Sequence, residues 1–250
     1  MLNTGFMDPF DGGMSAHFYG ENYFPYALPE LFRNKNENYA INAFHFNRGS
    51  FYNRTQMYKA FKYDNYYSSI ERGVALTEAH MDSHFIKNQR MNDLFFSNEQ
   101  FVNLVLTYTA HLPYEPNSNI CGNLLTEEES MLAKDEDEYL CFRVQARETD
   151  AFFDELLKNL KEKDRLQDTV IVGFSDHYAY GLRNKRKLFE LKGGAEPYFV
   201  HKTPFFIWHE SLDAFTYDKV TSNIDILPTI ANLFGLEWNP QNYLGQDVFS

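Results

Sequence analysis

Six residues fit for a buried strand, Thr169–Phe174 (TVIVGF), run straight into Ser175-Asp176-His177. A carboxylate and an imidazole side by side at the carboxyl end of a strand stand where open α/β sheets place their ligands. A hard oxygen donor next to a borderline nitrogen donor suits a divalent metal such as Mn or Zn. The plainer reading of the same dipeptide is a turn, which Asp often begins. Two further candidate strands also end in titratable groups. Tyr39–Phe44 leads into His45, and Val102–Thr107 leads into Tyr108-Thr109-Ala110-His111. A lone histidine is ordinarily a satisfied core or surface residue. Three at equivalent ends of three strands gather, in a parallel sheet, on the edge where active sites form.

Phe46-Asn47-Arg48-Gly49-Ser50-Phe51-Tyr52-Asn53-Arg54 lies between the first two of these strands. Arginines among aromatics bind tetrahedral oxyanions, because the guanidinium fork matches phosphate or sulfate oxygens. Asn53 is placed to cap a following helix, which sets Arg54 in an anion-favouring first turn. The alternative for Arg54 is an ion pair with a carboxylate.

The elements that must position these groups alternate. Helices are expected at Leu28–Asn36, at Asn53–Phe61 and at Phe142–Lys163, the last with Phe153, Leu156, Leu157 and Leu160 at helical spacing. Thr203–Trp208 reads as another strand. Asn223–Phe234 reads as a helix with Asn223 as its cap and Gly235 as its stop. This alternation predicts an α/β fold: a mainly parallel sheet flanked by helices on both faces. A helix over Leu76–Phe85 would set His80 and His84 four apart, a metal-ligand spacing, but no third ligand adjoins them and a solvated face is expected. His201 and His209 flank the strand at Thr203–Trp208 and are expected in structural roles. Asp225 reads as a helix-start carboxylate.

Length and composition narrow the functions. The 250 residues fit one large α/β domain spanning 1–250, with no internal repeat and no Pro/Gly/Ser linker. Thr126–Glu138 reads as a solvated acidic stretch. A formal charge of −12 argues against a nucleic-acid partner, which needs a basic face. It leaves room for an anionic substrate, since a metal with a few Arg or His makes a locally positive site. No run of 18 apolar residues is present to span a bilayer, and the first residues lack the layout of a signal peptide. Cys121 and Cys141 have no metal-binding context and would be either one disulfide in an extracellular domain or two buried thiols.

Four segments in this order, HFNRGSFYNRTQMYKAFKYD, TYTAHLPYEP, VIVGFSDHYAYG and NIDILPTIANLFGL, resemble the lipoteichoic acid synthase type of the sulfatase/alkaline phosphatase superfamily over nearly the whole chain. The resemblance implies a metal-dependent phosphoglycerol transferase or phosphodiesterase. Its substrate class is the head group of an anionic glycerophospholipid or a glycerophosphate polymer, and it acts at the extracellular face of the cell membrane. Asp176 and His177 look like the family's metal pair, for Mn with Zn or Mg as alternatives. His45, Tyr52 and Arg54 look like its glycerophosphate-binding residues, with Tyr52 where Trp is usual. His111 looks like the histidine that binds phosphate or assists proton transfer, and Arg54 would stabilise the transferring group. The family's nucleophilic Thr and an acidic metal ligand would both precede Met1, as would the segments that meet the membrane; Thr4 stands in the context that follows the nucleophile. The chain is therefore expected to be the C-terminal part of such a domain, truncated at its N-terminus and inactive by itself. The competing readings are a sulfatase or a phosphoethanolamine transferase on the same scaffold, and a catalytically inactive module that only binds an anion or partner. A sulfatase needs a modified Cys or Ser in a Cys/Ser-x-Pro-x-Arg context, which is absent here; a phosphoethanolamine transferase usually carries several disulfides.

Overall fold

The computed structural model describes residues 2–7, 15–75, 80–133, 137–194 and 200–250. Its helices and strands, in chain order, are α1 (Ser15–Tyr19), α2 (Leu28–Lys35), β1 (Ala40–His45), α3 (Arg54–Ala60), β2 (Asn65–Ser68), α4 (Asp82–Lys87), α5 (Gln89–Phe95), β3 (Phe101–Leu106), α6 (Cys121–Leu124), α7 (Glu127–Leu132), α8 (Glu138–Glu162), β4 (Ile171–Phe174), α9 (Lys185–Leu191), β5 (Phe205–Trp208) and α10 (Ile226–Leu233). The chain forms two compact units. One comprises Met1–Val74, Asp93–Leu106 and Thr216–Ser250, the other Ala75–Asn92 and Thr107–Phe215.

The first unit is built on a parallel sheet of order β2-β1-β3. The central strand β1 buries Ile41, Ala43 and Phe44 completely, as expected of a parallel strand covered on both faces. Its Asn42 is also buried, and it sits in register with Asn65 of β2 and Asn103 of β3. Asn65 donates to Asn42 Oδ1 at 3.0 Å, Asn42 donates to Asn103 Oδ1 at 3.4 Å, and Asn103 donates to the Phe95 carbonyl at 2.8 Å. A buried amide is tolerated only when bonded, so this ladder fixes the register as well as filling the sheet. Phe32 of α2 packs edge-on against Phe234 at 5.3 Å. Lys35 places its ammonium on the Phe234 carbonyl just past α10, where the helix dipole favours a cation. Gly235, at φ +56°, takes the left-handed conformation that ends this helix.

In the second unit the 25-residue helix α8 packs on α4 and buries Leu140, Val144, Phe152, Leu156 and Leu160. It begins four residues before the expected Phe142. The Asp137 carboxylate caps it by accepting from the Leu140 amide at 3.2 Å, a polar start that the apolar periodicity does not register. The acidic stretch before it holds α7, closed by a capping box between Thr126 and Glu129. Cys121 and Cys141 form a disulfide that ties α6 to the first turns of α8, which settles the alternative left open by the sequence.

The α/β class and the parallel sheet flanked by helices agree with expectation. One part of the strand arrangement differs. Among the described residues β4 pairs antiparallel with β5, in a two-stranded sheet of its own, with Ile171 opposite Trp208 and Phe174 opposite Phe205. Strand–helix alternation alone does not specify which strands share a ladder. Gly173 is required at this pairing, because a Cβ there would fall about 2.1 Å from the ring of Phe206. Two expected caps also differ. Asn53 precedes α3 in a left-handed conformation and makes no side-chain cap; its amide donates to the Ala16 carbonyl at 2.7 Å. Asp225, not Asn223, stands at the start of α10, and its carboxylate accepts from the Ser222 and Gln246 amides. The expected helix over Leu76–Phe85 falls partly outside the described residues; His84 lies in α4 and His80 in the turn before it.

Candidate functional site

In the first unit the histidine at the end of β1 organises a cluster that includes Arg54. His45 is buried, and its Nδ1 faces the Leu106 carbonyl at the end of β3, 2.9 Å away. A ring nitrogen against a carbonyl must donate, so its partners assign the proton to Nδ1 and leave the Nε2 lone pair as acceptor. Arg54 fills that role: its Nη1 lies 2.9 Å from His45 Nε2. Among the described residues no carboxylate pairs with Arg54. The guanidinium carbon also sits 5.2 Å from the Tyr52 ring centroid and 5.6 Å from that of Phe51, within cation–π range. Both rings are about half exposed.

The local backbone explains how these rings reach Arg54. Tyr52 (φ 55°, ψ 31°) and Asn53 (φ 53°, ψ 28°) are consecutive left-handed residues. An aromatic residue pays strain there, and such strain persists where the surroundings over-determine it. The surroundings here are identifiable: the Asn53 side chain on the Ala16 carbonyl, and the Gly49 amide on both oxygens of Glu71 at 3.0 and 3.1 Å. Tyr58 and Tyr66 lie near Arg54. Burial raises the Tyr58 phenol to about 12 and raises Tyr66 further, so both remain protonated.

The second unit brings together His111, Asp176 and His177. The rings of His111 and His177 are 5.9 Å apart, and His177 Nε2 lies 3.5 Å from Asp176 Oδ1. Each of these two histidines turns its Nδ1 to the carbonyl of the next residue, Leu112 or Tyr178, at 2.9 Å. That contact assigns the proton to Nδ1 and presents Nε2, the arrangement in which histidines ligate metals or accept protons. Tyr180 packs 4.7 Å from His177. Burial raises the Tyr114 phenol to about 12, with Tyr180 and Asp176 adding to the shift.

The chemistry of the Asp176–His177 pair fits a divalent cation, one oxygen donor and one oriented imidazole. Its number falls short of a shell: among the described residues no group of three or more His, Cys, Asp or Glu is arranged to hold a metal. His80 stacks on Tyr108 at 4.1 Å, and burial lowers its pKa; His209 bonds Ser211 and the Gln167 carbonyl; His201 packs edge-on to Tyr178. His201 and His209 take structural roles, as expected, whereas His80, expected on a solvated face, is half-buried against Tyr108.

Sequence reading missed Asp82, Gln145 and Thr149, which hold the loop carrying His111. Gln145 donates to the carbonyls of Thr109 and His111 at 2.7 and 2.8 Å. Asp82 is wholly buried and accepts from the Tyr108 and Thr109 amides and from the Thr149 hydroxyl. The available signal was the repeat of polar Gln145 and Thr149 four apart on the buried face of an amphipathic helix.

A parallel α/β sheet with a histidine at a strand end and an arginine at the start of the following α-helix defines the class in structural terms. The chain belongs to the sulfatase family: the Sulfatase family model matches residues 4–236. It is 25% identical over 256 residues to the lipoteichoic acid synthase of Staphylococcus saprophyticus, covering 95% of this chain and 37% of that protein. The chain thus spans little more than a third of the curated relatives it matches. Its fold is similar to that of the lipoteichoic acid synthase LtaP from Listeria monocytogenes (TM-score 0.75, 23% identity, 99% of this chain and 61% of that one). It is also similar to an alkaline phosphatase superfamily protein from Vibrio parahaemolyticus (TM-score 0.66, 19% identity, 100% and 56%).

Proposed function

We propose that this chain is the substrate- and metal-binding part of a phosphoglycerol transferase-type enzyme, acting on glycerophospholipid head groups or a glycerophosphate polymer. The observation that carries the reading is Arg54, bonded to His45 through a lone pair and flanked by Phe51 and Tyr52. A guanidinium with no carboxylate partner among the described residues keeps its charge for an incoming anion. The nearby aromatic faces offer an apolar surface to the carbons of a glycerol unit.

The roles follow from the donor sets. Arg54 donates to non-bridging phosphate oxygens, where transition-state charge accumulates. His45, buried and fixed by the Leu106 carbonyl, keeps Arg54 in place. His111, with Nε2 as its acceptor atom, takes or returns a proton on the oxygen of the attacking or leaving group. Asp176 and His177 would hold a divalent cation, Mn in the first instance, with further ligands from outside the described residues. When bound, such a cation would supply positive charge against the phosphate and would lower the pKa of a nearby hydroxyl.

Among the described residues no helix is long and apolar enough to cross a membrane. The Cys121–Cys141 disulfide supports an oxidising compartment, in keeping with action at the extracellular face of the membrane. The deciding experiment assays phosphodiester cleavage by the complete protein and its Arg54→Ala and Asp176→Ala/His177→Ala variants. The reading expects both variants to lose turnover. Full turnover by either folded variant would remove it.

A further inference from the structure

Three side chains of α8 recur at intervals of four and so share one face of the helix: Cys141, Gln145 and Thr149. Each fixes a different part of the same neighbourhood. Cys141 is bonded to Cys121. Gln145 Nε2 spans the carbonyls of Thr109 and His111. The Thr149 hydroxyl donates to Asp82 Oδ2 at 2.6 Å. Asp82 in turn accepts from the Tyr108 amide at 2.7 Å, and both its oxygens lie 3.2 Å from the Thr109 amide. The Asp82 amide donates to the Thr109 hydroxyl, which donates to the His80 carbonyl. Asp82, Thr109 and Gln145 are all fully buried.

Stability alone does not account for this arrangement. A buried carboxylate carries a desolvation penalty, and burial pushes Asp82 up to about 6 in spite of four hydrogen bonds that oppose the shift. Gln145 Oε1 is buried with no hydrogen-bond partner among the described residues, a cost that an apolar residue at this position would not carry. Both side chains are kept for the end that grips the Tyr108–His111 backbone. An ionised carboxylate offers acceptors only, so it can take two consecutive amide hydrogens where an amide or hydroxyl would present a competing donor.

We propose that Asp82 is a positioning residue for His111: its buried carboxylate, held by Thr149, sets the backbone of the Tyr108–His111 loop and with it the stance of the His111 ring toward His177. This rests on the reading that His111 acts in the reaction. Other titratable groups stand around Asp82. Glu148 of α8 accepts from the Ser83 amide at 2.9 Å, Lys87 and Glu155 pair across α4 and α8 at 3.5 Å, and His80 stacks on Tyr108. None of these replaces the carboxylate at the Tyr108 and Thr109 amides.

The test follows the ring signals of His111 and His177 by NMR in the histidine-labelled 250-residue chain, titrated with pH. Signals are assigned with His111→Gln and His177→Gln. Asp82→Asn and Thr149→Val, checked for unchanged far-UV circular dichroism, should shift the His111 ring resonance and its titration midpoint, whereas Thr149→Ser should restore the parent curve. A folded Asp82→Asn chain whose His111 curve superimposes on the parent overturns the proposal. If Asp82→Asn does not fold, the Thr149→Val and Thr149→Ser pair decides in the same way: equal His111 curves overturn it. The functional reading fails by a different result, full phosphodiester cleavage by a His111→Ala form of the complete protein.

Discussion

Arg54 Nη1 lies 2.9 Å from His45 Nε2, so the guanidinium is steered by a lone pair, and among the described residues no carboxylate neutralises it. His45 can accept only because its other nitrogen donates to the Leu106 carbonyl. Two adjacent strand ends, those of β1 and β3, therefore set the direction of an arginine at the start of α3. Charge-assisted hydrogen bonds contribute about 1.5–3 kcal/mol each, so Arg54→Ala should weaken binding of glycerol phosphate to the chain by about 10- to 100-fold. Arg54→Lys should not restore it, because a point charge cannot both hold His45 and present a fork. Isothermal titration with glycerol phosphate measures both.

The Asp176–His177 pair should bind Mn through both side chains. Loss of either ligand removes more than a supporting contact, so Asp176→Ala or His177→Ala should lower Mn affinity by at least about tenfold. Mn-induced broadening of the His177 ring signal in the parent and Asp176→Ala chains, and of the His111 ring signal in His177→Ala, gives the result. Equal broadening of the His177 signal in the Asp176→Ala chain would contradict a shared site.

Asp82 has a folded pKa of about 6 against an ordinary 3.8, raised by burial. A raised carboxylate pKa means that the folded chain holds its proton more tightly than the unfolded chain does. The associated stability is fully present below 3.8 and is lost as pH rises through about 6. The difference corresponds to about 3 kcal/mol at 1.36 kcal/mol per unit. Urea unfolding across this window should show the decline in the parent chain and a flatter profile in Asp82→Asn.

The asparagine ladder Asn65–Asn42–Asn103 should carry register as well as stability. Asn42→Leu removes the middle member and leaves the Asn103 carbonyl oxygen without its donor, at a cost of about 1–3 kcal/mol. The urea midpoint should fall with the slope unchanged, since the surface exposed on unfolding is nearly the same.

The Cys121–Cys141 bridge closes a loop of 20 residues, for which the chain-entropy relation gives about 3 kcal/mol. Replacing both cysteines with Ala should lower stability by about that amount. Because Cys141 lies one helical turn before Gln145, it should also loosen the His111 loop, readable as faster amide exchange at Thr109 and His111.

The residue types and their order were enough to predict the α/β class, the strands ending at His45 and before His111 and Asp176, and the family to which these pieces belong. Those features are local: a buried parallel strand is an apolar run, and the group that follows it is read directly from the chain. The tertiary structure decided what no local pattern contains. β4 pairs with β5 because the direction of a ladder depends on where the intervening chain returns. Tyr52 and Asn53 turn left-handed because the distant Ala16 carbonyl holds Asn53 and the Glu71 carboxylate holds Gly49. Asp82 and Gln145 matter to His111 because hydrogen bonds join residues 26 to 36 positions apart, a relation that appears only once α8 has been laid against the loop.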